Sequence, residues 1–487
     1  VNTALRRLAT VTVVMFLVLL TGTTWVQFGQ ASALNNDPRN VRTLYREYGS
    51  PRGPIVVAGQ SVALSTAVDD PFGYQRSYPA ETAAMYSAVT GFYSIVNGGS
   101  QLERAMNSEL TGQADSLFWS RMQDLITGRQ PQGSSIELTL DPAAQQAAWD
   151  ALGGQNGAVV AIEPSTGRIL AMVSTPGFDP NALATHDTSA ATTAYQQLLD
   201  ADGDPLLNKA TSQNYPPGST FKLVTAAAAL ESGQYTADTV ISAPDTYTPP
   251  GTSRAMSNFG GSSCSSSGQM SLSDALRISC NTAFAELGVG LGDDALREQA
   301  EKFGFDADED LTIPMKLADS VFPADLDQPQ TAQSAIGQYS VRATPVQMAM
   351  VAAAIANGGT LMTPYLVDTV RTADLDVVSQ TEPSEYSQAV SASTAQALTS
   401  MMLGVVQSGS GTAAQISGVQ VAGKTGTAQT VSGENPHAWF TGFAPADNPQ
   451  VAVAVIVEHG GDAGSEATGG KVAAPIARAV MQAVIGQ

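Results

Sequence analysis

Lysine, histidine and cysteine are all scarce in this chain of 487 residues, and each scarcity narrows the chemistry open to it. Only six lysines occur, at 209, 222, 302, 316, 424 and 471. Lys and Arg together number 23 against 44 Asp and Glu, giving a net charge of −21 and a pI near 4.4. A field of that sign repels nucleic acid, and no Lys/Arg cluster offsets it, which argues against a nucleic-acid partner. The three histidines, His186, His437 and His459, stand far apart, and none has a neighbour at ligand spacing. This argues against a zinc site or other metal, and against a Ser-His-Asp triad in its usual motif orders; only assembly from distant segments stays open. The two cysteines, Cys264 and Cys280, close a loop of about 15 residues, a size at which a disulfide stabilises by roughly 3 kcal/mol. In an exported chain they are expected to be bridged; in a cytosolic one they would be free thiols. The composition, 43% hydrophobic and 14% charged, is that of a globular protein with ample core.

Export is signalled at the N-terminus. Arg6-Arg7 precede an apolar run from Leu8 to Phe28, long enough to span a bilayer, with the basic end on the cytoplasmic side. The run exceeds a typical signal-peptide core, so a retained anchor is preferred. The alternative is a cleaved signal peptide ending at Ala31-Ser32-Ala33. Both readings place the rest of the chain outside the membrane. The expected division is a cytoplasmic tail at 1–7, an anchor at 8–28, a non-catalytic dimerisation-like or docking module at 29–135, and a catalytic domain at 136–487.

Within the module, Arg52-Gly53-Pro54-Ile55-Val56-Val57 suggests a short strand and Met85 to Val96 a helix, and Gln130 to Ser135 reads as a linker. Beyond it, Ile136 to Leu140 alternates like a strand. Asp141-Pro142 supplies an N-cap and N1 proline for a helix that ends at Gly153-Gly154. Gly157 to Ile162 and Arg168 to Val173 form a hairpin around Pro164–Gly167. An all-helical middle follows, including a buried helix from Thr344-Pro345 to Asn357-Gly358-Gly359. The tail returns to strands at Val419–Ala428, Ala438–Phe443 and Val451–Val457, then a helix from about Lys471 to Ile485. Strands at both ends with helices between predict an α+β fold, one antiparallel sheet of about five strands covered by helices.

Three short motifs carry the chemistry. In Pro216-Pro217-Gly218-Ser219-Thr220-Phe221-Lys222 a turn leads into a helix with Ser219 in its first turn. Positions i and i+3 share a helix face, so the Ser219 hydroxyl and the Lys222 amine make a workable nucleophile and base. Ser279-Cys280-Asn281 can aim a hydroxyl and a carboxamide into one cleft. Gly423-Lys424-Thr425-Gly426-Thr427-Ala428 lies in a strand pattern, where glycine permits close approach of a ligand. Singly, each has an ordinary reading: a turn before a helix with a solvated lysine, a chance tripeptide, an edge strand with a surface lysine. Their order and spacing together are the stronger signal.

Ser-x-x-Lys, Ser-x-Asn and Lys-Thr-Gly in this order is the combination of the penicillin-recognising acyltransferases. The chain resembles a class B penicillin-binding protein, a monofunctional D,D-transpeptidase, and most resembles the PbpA-type branch of mycobacteria and related actinobacteria. The resemblance covers nearly the whole chain, densely after residue 136 and mainly by position before it. It takes in Leu138-Thr139-Leu140-Asp141, Gly167-Arg168-Ile169-Leu170-Ala171-Met172 and Trp439-Phe440-Thr441-Gly442-Phe443-Ala444-Pro445. It implies the penicillin-binding fold and no cofactor. Ser219 would attack a D-Ala-D-Ala stem peptide and Lys222 would take its proton. Ser279 would protonate the leaving D-Ala, and Asn281 would hold the lysine and the substrate amide. Lys424, Thr425 and Thr427 would bind the terminal carboxylate beside Gly426, and the N–H groups of Ser219 and Thr427 would form the oxyanion hole. β-Lactams would acylate Ser219. Membrane partners, a SEDS-type glycan polymerase among them, are implied as well.

Two departures stand out: Gly337-Gln338-Tyr339 where many relatives have Gly-Gln-Gly, and Cys280 inside Ser-x-Asn, whose bridge to Cys264 would pin that segment. Two other readings compete with the transpeptidase. One is a D,D-carboxypeptidase or β-lactamase that passes the acyl group to water. The other is an envelope scaffold or β-lactam sensor without turnover, whose mark would be a cytoplasmic signalling segment where only about seven residues precede the apolar run.

Overall fold

Strands that must be buried on both faces cannot alternate polar with apolar, and Val451–Val457, Gly157–Ile162 and Ile169–Thr175 do not. In a computed structural model, which describes residues 2–30, 34, 48–117, 132–307, 313–315, 317–429 and 434–486, these strands lie side by side in one sheet, Ile169–Thr175 at its edge. Its order is Ala422–Ala428, His437–Ala444, Val451–Val457, Gly157–Ile162, Ile169–Thr175, antiparallel throughout. The early hairpin and the late strands thus close one sheet, as the sequence predicts.

Helices seal both faces. Pro142–Leu152 and Ala473–Ile485 share a core with Val159, Val453 and Phe440. Pro345–Ala356, buried along nearly its whole length, packs in the other core with Val160 and Ala454. Their starts are capped as read. The Asp141 carboxylate accepts from the N–H groups of Ala143 and Ala144 at 2.8 and 2.9 Å, and the Thr344 hydroxyl accepts from Gln347 at 3.1 Å.

The chain divides into two compact units, Val1–Pro51 with Ser65–Gln75, and Arg52–Leu64 with Arg76–Gln487. The first carries a helix, Asn2–Thr24, that continues as a wider π turn, Trp25–Gly29, and is long and apolar enough to cross a membrane. Its threonines do not spoil that character. Thr10, Thr12, Thr21 and Thr23 each donate to the carbonyl four residues back, at 2.7–3.0 Å. Ala31-Ser32-Ala33 and Gln130-Pro131 lie outside the described residues.

Several expectations need correction. The helix read over Met85 to Val96 runs Ala83–Thr90. It stops because Gly91 has φ +69 and a Cβ there would lie 2.4 Å from the Ser100 carbonyl oxygen; Tyr93–Ser94 then pairs with Gly98–Gly99. The middle is helical but not only so. Two-stranded ribbons, Val240–Ser242 with Gln269–Ser271 and Thr246–Tyr247 with Met256–Ser257, are too short to show a period. Ser135–Leu138 pairs in parallel with Ile55–Val57 on one side and antiparallel with Val367–Arg371 on the other, so strands from both sides of residue 136 share one sheet.

Beside that sheet lies a fully buried acid, Glu103, gripped by two guanidiniums. Arg52 Nε and Arg76 Nε each donate to it at 2.5 Å, Arg52 also donates to the Glu103 carbonyl, and Tyr78 Oη lies 3.2 Å from the carboxylate. Burial pushes the Glu103 carboxyl up, but Arg76 and Arg52 together outweigh it and hold it below its usual range. Removing the acid strands two buried cations. Glu103→Ala is therefore expected to cost roughly 3–5 kcal/mol, read as a lowered melting transition of the full chain in detergent. An unchanged transition would show that water already shields the pair of arginines.

Candidate active site

The Ser219 turn is fixed against the sheet before its helix begins. Tyr215 exchanges backbone hydrogen bonds with Ala343, Gly218 N–H donates to Gly337 at 2.9 Å, and Trp439 Nε1 donates to the Pro216 carbonyl at 3.0 Å. The turn Gly218–Phe221 is 3₁₀, and the α-helix Lys222–Glu231 continues from it. Two glycines allow the approach. Gly218 sits at φ +54, where a Cβ would lie 2.9 Å from the Thr427 carbonyl oxygen, and a Cβ on Gly426 would lie 3.0 Å from that of Pro217. The serine turn and the edge strand Ala422–Ala428 thus touch backbone to backbone.

All three motifs meet here. Ser219, Ser279, Asn281, Thr425 and Thr427 line one open cleft of about 1140 Å³, with Lys222 and Lys424 fully buried in its wall. The face-sharing expected of Ser219 and Lys222 takes a different form. Lys222 Nζ donates to Asn281 Oδ1 at 2.7 Å, to the Ser279 carbonyl at 2.8 Å and to Ser279 Oγ at 3.3 Å. Among the described residues, the Ser219 side chain and N–H make no hydrogen bond. The hydroxyl that joins the motifs is that of Ser279, which also accepts from Lys424 Nζ at 2.8 Å.

Neither lysine has a carboxylate partner among the described residues. Burial, and then the charge on Lys424, push the Lys222 amine well below the ordinary lysine range. Burial alone brings Lys424 down to about 7. One amine is thereby prepared to accept a proton, and the site keeps positive charge unspent for an incoming anion.

The Ser279 segment depends on residues outside the motifs. Ser279 has φ +64, in the left-handed region. Asn258 Oδ1 accepts from the N–H groups of Asn281 and Thr282 at 2.9 and 3.1 Å, capping the helix Asn281–Leu291 from a distant loop. The Cys264–Cys280 disulfide is formed, with Cα atoms 5.9 Å apart, and fastens the same junction. Asn258 carries no motif of its own. Nor does Ser410, whose hydroxyl lies 2.6 Å from that of Thr425. Tyr339 is half exposed, with φ +59, and does not line the cleft. A positive φ suits the glycine that many relatives carry here.

The histidines far apart in sequence are partly reunited. The His437 and His459 rings lie 4.9 Å apart, His459 N–H donates to His437 Nδ1 at 3.1 Å, and burial followed by His459 pushes His437 down to about 4. Neither hydrogen-bonds Ser219, so the pair does not build a triad with it.

Comparison with known proteins agrees with this geometry. Residues 157–482 match the penicillin binding protein transpeptidase domain, and residues 52–136 the penicillin binding protein A dimerisation domain. The chain is 46% identical, over 99% of both chains, to peptidoglycan D,D-transpeptidase PbpA of Mycolicibacterium smegmatis, and 44% identical over the same shares to that of Mycobacterium tuberculosis. Among solved structures, penicillin-binding protein A from M. tuberculosis as its ceftriaxone acyl-enzyme superposes with a TM-score of 0.87 at 43% identity, covering 91% of this chain and 100% of that one. Its penicillin G acyl-enzyme gives a TM-score of 0.84 at 43% identity, covering 90% and 100%. With the three motifs assembled on one cleft and likeness along nearly its whole length, the chain belongs to the penicillin-binding protein transpeptidases, in their PbpA-type branch.

Proposed function

We propose that this chain is a serine D,D-transpeptidase that cross-links peptidoglycan stem peptides and is acylated by β-lactams at Ser219. The observation that carries the proposal is the shared Ser279 hydroxyl, which binds Lys222 and Lys424 into one proton path next to Ser219. Neutral Lys222 takes the Ser219 proton as Oγ attacks the carbonyl of the penultimate D-Ala. The oxyanion is met by the N–H groups of Ser219 and Thr427, a contribution of about 3–4 kcal/mol per donor. Ser279 gives its proton to the leaving D-Ala nitrogen and recovers one from the lysines. The amine of a neighbouring stem peptide then attacks the ester, forms the cross-link and frees Ser219. Asn281 keeps Lys222 aimed, and Lys424 with Thr425 and Thr427 holds the terminal carboxylate.

On this reading residues 136–487 hold the chemistry outside the membrane, residues 8–28 are a single-pass anchor, and 29–135 form a docking module. That module is the part left to meet envelope proteins such as a SEDS-type glycan polymerase.

Three outcomes are expected. Intact mass of the full chain after exposure to penicillin should show one stable adduct, absent in Ser219→Ala. An adduct that clears within seconds would mark a hydrolase, and none in folded protein a scaffold. The second-order acylation constant should follow a bell in pH. It rises as Lys222 loses its proton and falls through about 7 as Lys424 loses the charge that holds the carboxylate. A constant unchanged from pH 7 to 9 would remove Lys424 from that role. Reduction of Cys264–Cys280, followed by the same assay, should slow acylation, because the junction around Ser279 and Asn281 is then held by hydrogen bonds alone; an unaffected constant would show those bonds to suffice.

A further inference from the structure

Thr425 and Thr427 are the two hydroxyls assigned above to the ligand's carboxylate, and that of Thr425 is held by a group outside all three motifs. Ser410 Oγ lies 2.6 Å from Thr425 Oγ1, and both side chains line the cleft. We propose that Ser410 is a positioning residue of the carboxylate subsite, directing the Thr425 proton at the ligand's carboxylate. The inference rests on the transpeptidase reading and names a residue that sets its carboxylate contact.

A hydroxyl has one proton to give and two lone pairs. Two hydroxyls at this distance share one proton, and the other remains free. When Ser410 donates to Thr425, the Thr425 proton is released toward the cleft and polarised by the bond it accepts. An isolated Thr425 hydroxyl could turn instead to water or to a backbone carbonyl, and each such rotamer presents a lone pair to the anion.

The serine can direct the threonine only if its own position is fixed, and it is. Ser410 follows the helix Ala392–Ser408 through Gly409, where a Cβ would lie 2.2 Å from the Arg277 carbonyl oxygen. Its N–H donates to that same Arg277 carbonyl at 3.2 Å, and Gly411 N–H donates to Val405 at 3.0 Å. From the other side Gly470 packs so closely that a Cβ there would lie 2.3 Å from the Ser410 carbonyl oxygen. Arg277 stands two residues before Ser279. Ser410 therefore links the Ser279 segment to the Lys424 strand by backbone on one side and by hydroxyl on the other.

The test compares acylation of the full chain by penicillin G and by its methyl ester, which lacks the anion. The wild type, Ser410→Ala and Ser410→Thr are measured. The ratio of the two rate constants within one protein is independent of how much of it is folded. For Ser410→Ala this ratio should fall about tenfold, the loss falling on penicillin G alone, as for a weakened hydrogen bond to a charged group. Ser410→Thr, which restores a hydroxyl, should recover it. A loss shared equally by both compounds, or no loss on penicillin G, would overturn the proposal. If the wild-type chain formed no adduct with penicillin G, the transpeptidase reading itself would fall and take this one with it.

Discussion

The site depends on two lysine amines buried side by side, with no carboxylate partner among the described residues. Burying a charge costs several kcal/mol even after relaxation, and two like charges cost more. The fold meets that cost with oxygens that carry only partial charge: the Ser279 hydroxyl and carbonyl, Asn281 Oδ1 and the Thr425 carbonyl. Because these never fully satisfy the lysines, one amine yields its proton easily and the wall of the cleft stays attractive to anions. A nearby Asp or Glu would stabilise the protein and quench both properties.

The rest of the catalytic unit serves to hold those oxygens in register. Lys424 arrives from an edge strand, Lys222 from a helix start and Ser279 from a junction between two helices, so no single element can fix their separation. The backbone contact between the serine turn and the strand does so, through Gly218 and Gly426. Trp439, donating to Pro216 from the neighbouring strand, adds a third point.

Much of this was legible in the sequence. Capped helices at Asp141 and Thr344, the early hairpin and the late apolar strands follow from spacing and turn chemistry, and the three motifs announce the cleft. What was hidden depends on separation along the chain. Asn258 caps a helix 23 residues away, and Ser410 reaches Thr425 across 15, without any local pattern to mark either. The joining of Ile55–Val57 to Ser135–Leu138 and Val367–Arg371 is likewise a tertiary fact, since three short strands carry too little periodicity to reveal their partners. The Lys222 partner Asn281 is implied by the family resemblance and not by spacing, for a related reason. Helix geometry puts Lys222 on the face of Ser219, but it says nothing of the stronger acceptors that another helix brings within reach.

The bridge at Cys280 has a consequence for when the cleft is completed. The junction that carries Ser279 is fastened partly by a covalent bond, and cytosolic reductants oppose such bonds. A newly made chain can form its strands and helices anywhere, but this last restraint closes only under oxidising conditions. Maturation of the site is thereby tied to oxidising conditions, and a chain held among reductants would carry every motif with its central junction held by hydrogen bonds alone.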